Sequence, residues 1–503
     1  MALRDVLTGK AAALLAALLL CLLPCTALSV EFRISGVWQV FFEDSNVQPR
    51  GVNNADTFDA VQRFRTQLDA VASENLSGSV QFELGRTEWG QASSGGALGA
   101  DGNIVELRFA WLDWTLPDTG IKVRMGIQPL VLPGVLAGTS AVFAQDMAGV
   151  SLNAPLWENE NSEGSLSFFW ARPYNDNSIT YSHNEDTLHL DNLDVFALSV
   201  PMRWQGFSLN PWAMYALIGK YSLSGLKVTN EPAIVAPRGG LTPMFGNGRT
   251  YVGFQDSRLS SLDRPWGDGI WLGLDAQAML GNDFQLSLEG TYGHVDMGSV
   301  ENYRGFGGEG RTFHLRREGW FAGAKLEYLG SWGIPGILAW YGSGDDDNPW
   351  NGSERLPQFN SPWMVTSLGF GASPIDEVSW KVLGSNPGGM MAAIAQVRNL
   401  SFIDKLSHKL ALAGYVGTNS PKMPRKAHMR WPTRADGPMA YLTTMDSAWE
   451  ANFRTDYKIY ENLTINVDAA YVRLNLDDSV WRGGDDSQKK DNYRVSLLFT
   501  YSF

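Results

Sequence analysis

Beyond Ala27 the chain alternates apolar and polar positions with a period of two, and it keeps this up to its last residue. In VEFRISGVWQVFF, Val30, Phe32, Ile34, Trp38, Val40 and Phe42 share one parity, while Glu31, Arg33, Ser35 and Gln39 share the other. The period recurs in FRTQLDAVA (64–72), SVQFELG (79–85), VELRFAW (105–111), IKVRMGIQ (121–128), FQLSLEGTYGHV (284–295) and LTINVDAAY (463–471), among others. It closes in YRVSLLFTYSF, where Tyr493, Val495, Leu497, Phe499, Tyr501 and Phe503 form an apolar stripe and Leu498 is the one apolar residue on the opposite face. A two-residue period is the signature of β-strands with one apolar face. Short connections such as Gln205-Gly206, Gly281-Asn282, 331–334, 404–407 and 459–462 alternate with long ones at 222–266, 298–316, 343–389 and 418–445. Tight turns of this kind join hairpins, and a strict short–long rhythm sends every long loop to one side. Eight short turns predict eighteen strands, or sixteen if a pair around 334–403 is loop.

A soluble sandwich or propeller would bury the apolar faces in a core. A transmembrane up-and-down antiparallel β-barrel would turn them to lipid around a polar interior. The opposite faces carry charges in mid-strand, at Glu83, Arg108, Arg124 and Asp468, which a packed core does not accept unpaired. Aromatics gather near strand ends, at Phe41, Phe42, Trp89, Trp271, Trp320, Tyr328, Tyr341, Tyr457 and Tyr501, as in interfacial girdles. Both features predict the membrane barrel. Unpaired backbone groups are costly in hydrocarbon, so such a sheet must close. The terminal stripe is expected to pair back onto the first strand near Phe32 to Val40.

The N-terminal segment reads differently. Arg4 and Lys10 precede an apolar core, Ala11 to Leu23, followed by Pro24 and small residues near Ala27. This is the pattern of a signal peptide over 1–27, leaving 28–503 as one barrel. Its removal takes both cysteines, Cys21 and Cys25, and shifts the formal charge from −13 to −14. Disulfides are then excluded as a source of stability, and the acidic balance argues against a nucleic-acid partner.

The signal peptide, the alternating strands and the ending LLFTYSF resemble Gram-negative outer-membrane porins. The stretches RFRTQLDAVASENLSG (63–78), VELRFAWLDWTLPDTGIKVRMGIQ (105–128) and YGSGDDDNPWNGSE (341–354) are similar to the homotrimeric porins of sulfate-reducing bacteria. The resemblance implies a homotrimer of water-filled barrels in the outer membrane, in contact with lipid and lipopolysaccharide. It also implies that Phe499, Tyr501 and Phe503 form the signal read by the barrel-assembly machinery, and that the third loop folds inward as a constriction. The matching loop is PLVLPGVLAGTSAVFAQD (129–146), which holds one acid, Asp146. Either the acids that face the arginines come from elsewhere, or the constriction is apolar.

By parity Arg33, Arg63, Arg65, Arg108, Lys122 and Arg124 fall on the inner face of the first five strands, with Glu31, Glu83 and Glu106 among them. Lumen charges tune selectivity, so a weak preference for anions is expected of a channel passing small hydrophilic solutes and ions by passive diffusion. A substrate-specific channel is the alternative, and lumen-facing Trp or Tyr would mark it. Asp345, Asp346, Asp347 and Asn348 offer oxygen ligands, with Asp345 and Asp347 as a candidate calcium pair, short of the six to eight oxygens calcium takes. No other cofactor is expected. The basic run KMPRKAHMRWPTR (422–434) suits lipopolysaccharide phosphates or anions at the mouth. Catalysis is not expected: His294 and His314 lie near a rim, with no serine motif to support a barrel hydrolase.

Overall fold

The computed structural model describes residues 30–47, 57–92, 95–97, 105–174, 192–219, 264, 266–303, 310–359, 363–371, 382–427, 429, 440–481 and 491–503. The expected signal peptide and most of the 222–266 connection lie outside the described residues. Within them the chain is one antiparallel sheet closed on itself. Its first strands are β1 (Glu31–Ser45), β2 (Thr57–Ser73), β3 (Leu76–Glu88), β4 (Val105–Thr115), β5 (Lys122–Val131), β6 (Ala144–Asn159) and β7 (Ser162–Tyr174). Then come β8 (Leu193–Ser199), β9 (Met202–Trp204), β10 (Phe207–Gly219), β11 (Trp266–Leu280), β12 (Phe284–Tyr303) and β13 (Arg311–Tyr328). The last are β14 (Ile334–Gly342), β15 (Met390–Ile403), β16 (Leu406–Gly417), β17 (Ser447–Tyr460), β18 (Leu463–Asn475) and β19 (Asp491–Ser502).

β8 and β9 pair with the same two neighbours, β7 and β10, and are one strand interrupted at Val200-Pro201. Proline has no N–H for the ladder. The sheet therefore has eighteen staves. The strands Ile334–Gly342 and Met390–Ile403 settle the count that the sequence left open at sixteen or eighteen. The loop expected over 298–316 is shorter: β12 and β13 continue into it, leaving only 304–310 between them.

The ring closes where β1 meets β19, from Val37↔Ser502 to Ser45↔Arg494. The pairing thus lies further along β1 than Phe32–Val40. Glu31–Gly36 pair with β2 and reach the last residue only through Gly36 N–H to the Phe503 carbonyl, 2.9 Å, and the return bond of 3.1 Å. The Phe503 ring lies over Gly36, stacked with Phe64 at 6.0 Å and Tyr501 at 5.9 Å. A Cβ at Gly36 would meet both that ring and the Arg65 carbonyl. Val495 and Tyr501 are exposed on the outer face, while Leu498 turns inward against Phe41 and Val61.

Two girdle assignments are corrected by this parity. Phe41 belongs to that inner cluster, and Trp271 is fully buried inside the barrel. Trp89, Trp320, Tyr341, Tyr457 and Tyr501 do lie exposed on the outside. A third correction concerns β4. Gln81 pairs with Phe109 but Phe82 with Leu107, so Arg108 sits in a β-bulge. Val105 and Leu107 face outward before it, Leu112 and Trp114 after it. Phe109 and Trp111, read as part of one outward stripe, consequently face the interior. A bulge inserts one residue and re-aims the side chains beyond it.

Candidate functional site: the lumen wall and the inward loops

The bulge brings the basic wall into register. Arg65 Nε donates to Glu83 at 2.6 Å, and Arg108 donates to Asp146 at 2.9 Å while its Nε lies 3.8 Å from Glu83. Arg124 donates to Asp113 through Nε at 2.6 Å and Nη2 at 2.9 Å, and Trp111 Nε1 donates to the same carboxylate at 2.9 Å. Two guanidinium groups also stack on the re-aimed aromatics, Arg108 over Phe109 at 4.5 Å and Arg124 over Trp111 at 4.3 Å. Such contacts hold a cation's orientation as well as its charge. Arg63 is buried and donates to Gln39 at 2.8 Å. Glu106 sits directly across from Glu83. Arg33 stands apart near the short-turn rim, 63% exposed and paired with Glu31 at 2.8 Å. Lys122, opposite Asn153, and Arg124, opposite Ser151, border a cavity of about 330 Å³ that also touches Asp113, Gln128 and Ser167.

Residues 132–143 connect β5 to β6 and fold into the barrel. Their apolar side chains, Leu132, Leu136, Val142 and Phe143, are buried, which accounts for the shortage of acids. The far wall holds this loop by its backbone: Glu289 on β12 accepts from Val135 N–H at 3.0 Å and Leu136 N–H at 2.9 Å, and Lys325 on β13 donates to the Val135 carbonyl at 3.4 Å. The acids that meet the arginines come mostly from the arginines' own wall, Glu83 and Asp113, with Asp146 at the loop's root.

A second inward loop was not anticipated. The described residues of the 343–389 connection fold inward beside β11, where Trp271 Nε1 donates to the Pro357 carbonyl at 2.8 Å. Phe359 meets Phe143 edge-on, ring centroids 5.7 Å apart, so the two loops touch. Trp363 and Phe370 pack on Trp340 at 5.1 and 5.3 Å, and Phe370 stacks on Tyr415 at 5.7 Å. The turn at Ser367-Leu368 reaches Glu450, Asn452, Asp468 and Arg494 on β17–β19. These long-range contacts carry no signal in local sequence, although inward parity on β17 and β18 marks the acids that receive the loop.

The aspartate run divides. Asp345 is buried, accepting from Ser353 Oγ at 2.6 Å, Glu354 N–H at 3.0 Å and Tyr441 Oη at 2.8 Å. Asp347 faces outward to Lys426 at 2.9 Å and Lys422 at 3.7 Å. Burial pushes the Asp345 carboxyl up, whereas the hydrogen bond from Lys426 holds Asp347 below its ordinary value. Burial also raises Glu354 to about 7, against the opposing hydrogen bond from Asp346 N–H and with help from the charges of Asp345 and Asp346. Among the described residues no three His, Cys, Asp or Glu side chains gather as a metal site. Asp345 and Asp347 are thus not brought together as the calcium pair the sequence suggested. The basic run begins with a short helix, Met423–Lys426, and most of its remainder lies outside the described residues.

The structure does find a serine beside a rim histidine: Ser299 Oγ lies 2.8 Å from His314 Nδ1. His314 is exposed and shares the outward parity of Trp320, and Ser299 beside it is half-buried. The pair therefore lacks the enclosed, water-excluding pocket that strengthens catalytic electrostatics.

No family model and no curated protein sequence matches the chain. Solved structures do. Acinetobacter baumannii OccAB2 is 10% identical with a TM-score of 0.50, over 94% of this chain and 98% of that one. Pseudomonas aeruginosa OpdQ is 11% identical with a TM-score of 0.48, over 94% and 98%. OprD of the same organism is 11% identical with a TM-score of 0.47, over 94% and 95%. At 10% identity, what the chain shares with OccAB2 is the fold, a closed antiparallel barrel, here of eighteen strands.

Proposed function

We propose that the protein is a solute-selective channel of the Gram-negative outer membrane, passing small hydrophilic anions by passive diffusion. One observation carries the reading. Two inward loops are held on the far wall through Glu289 of β12 and Glu450 of β17, while Lys122 and Arg124 of β5 border a cavity of mixed polar and apolar lining together with Asp113, Gln128 and Ser167. A lumen narrowed in this way favours selection over the wide passage of a general diffusion porin. Selection would rest on charge. The inward aromatics Trp271, Trp363, Phe359 and Phe370 are buried in loop packing, and Phe109 and Trp111 lie beneath the guanidinium groups of Arg108 and Arg124, so they do not supply a stacking slide. Guanidinium groups match carboxylate and phosphate oxygens in pairs of parallel hydrogen bonds, and Arg108 and Arg124 are held in fixed orientation on this wall.

The outer face supports the membrane assignment through exposed Leu272, Leu274, Ile337, Leu412 and Trp449. Diffusion through a fixed passage needs no catalytic group. Planar-bilayer recording tests the proposal: purified protein is expected to give stepwise conductances with reversal potentials on the anion side, and small organic anions should block the current saturably. Absence of conductance from folded protein would refute the channel. Conductance without saturable block would leave the general diffusion porin instead.

A further inference from the structure

We propose that Glu450 sets the width of the passage by holding the turn of the 343–389 loop against β17, as a positioning residue; the proposal rests on the channel reading above. Glu450 is 1% exposed. A buried carboxylate is costly unless donors surround it, and here three do. Leu368 N–H donates to Oε1 at 2.9 Å, Asn452 Nδ2 to Oε1 at 2.7 Å and Tyr415 Oη to Oε2 at 2.7 Å. The next residue of the loop is Gly369, where a Cβ would collide with Glu450 Oε2. Only a glycine lets the backbone come this close.

The turn is gripped on its other side as well. Ser367 N–H donates to Asn452 Oδ1 at 3.2 Å, Ser367 Oγ donates to Asp468 at 2.8 Å, and Arg494 donates to the Ser367 carbonyl. Arg494 in turn lies 3.8 Å from Asp468 and 3.8 Å from Glu43 on β1. The aromatic cluster of Trp363, Phe370, Trp340 and Tyr415 gives the loop its cohesion, but dispersion is non-directional and does not fix where the backbone stops. The carboxylate does. Without it the Leu368 N–H and Asn452 Nδ2 lose this acceptor and Tyr415 Oη keeps only Thr366 Oγ1 at 3.3 Å, and an unmade buried hydrogen bond is relieved by moving the donor into water. The water is in the lumen, so the loop shifts into or out of the passage.

Single-channel recording of Glu450→Ala tests this, with barrel integrity read from heat-dependent gel migration. The expected result is a change in conductance of roughly twofold or more, since conduction follows the constriction, together with a shifted size limit for permeant sugars. Glu450→Gln keeps an acceptor for Leu368 and should stay close to wild type. A disulfide between Ser367→Cys and Asp468→Cys, placed in the Glu450→Ala background, should restore the wild-type conductance and lose it again on reduction. Where Glu450→Ala does not fold, Tyr415→Phe removes one donor to Glu450 and carries the same expectation at smaller size. Unchanged conductance in a folded variant overturns the proposal while leaving the channel intact. A wild-type protein that conducts nothing overturns the channel reading itself.

Discussion

At the scale of single residues, alternation identified the cations of the wall but only some of their partners. Asp113 shows why. Counted straight along VELRFAW from Val105, it falls on the apolar face, and only the extra residue at Arg108 turns it inward to meet Arg124. Arg124→Gln therefore removes a lumen charge without touching the lipid face. Two unit charges about 10 Å apart in a water-like medium interact by about 0.4 kcal/mol. Losing the charge weakens attraction of an anion and repulsion of a cation by that amount each, so the anion-to-cation permeability ratio is expected to fall about fourfold, read from the zero-current potential across a salt gradient. Glu354 gives a prediction in pH. Its carboxyl rises from the ordinary 4.5 to about 7 in the folded loop, so between those values the folded form holds a proton that the unfolded form has lost. Stability of the 345–354 segment should decline as pH climbs through that window and level off above it. Glu354→Gln is expected to flatten this decline, giving greater resistance to proteolysis at pH 8 than the wild type shows.

Strands and loops were legible to different degrees. Strand existence followed from the period of two, which depends on residues next to each other in sequence. The bulge did not, because a one-residue insertion leaves the composition of β4 unchanged. Substitutions at opposite parities expose it: Leu107→Lys and Leu112→Lys should both impair assembly, each costing up to about 2–4 kcal/mol for a charge set in lipid. Phe109→Gln, facing inward, should cost less, and refolding yield into vesicles separates the cases. The seam makes a further demand. Gly36 leaves room for the Phe503 ring, and a Cβ there stands 2.6 Å from the Arg65 carbonyl. Gly36→Ala is expected to destabilise the closed barrel by about 1–3 kcal/mol, as overpacking does, and to lower the temperature at which it unfolds on gels. This effect should appear in refolding without any assembly machinery, which separates the seam from the address that the resemblance assigns to Phe499, Tyr501 and Phe503.

For the whole molecule, closure and strand number were readable because a membrane leaves no alternative to a closed sheet. The filling of the lumen was not. It depends on residues such as Ser367 and Asp468 whose separation along the chain says nothing of their contact. Nor does a single chain display its assembly. The homotrimer implied by resemblance predicts that the native particle, weighed in detergent, has three times the mass of the heat-denatured chain; a particle of one chain's mass would refute it.

The contacts of Ser367 also bear on the order of events as the protein forms. Asp468 and Arg494 lie more than a hundred residues later in the chain, and Glu43 belongs to the first strand. The binding place for the turn is complete only after the last strand, β19, has joined the sheet. Docking of the 343–389 loop is then a late step, and until it happens a newly closed ring has an unfilled bore. A cell inserting such barrels would hold briefly leaky intermediates, and the time they take to fill would limit how fast the protein can be added to a membrane without cost to its barrier.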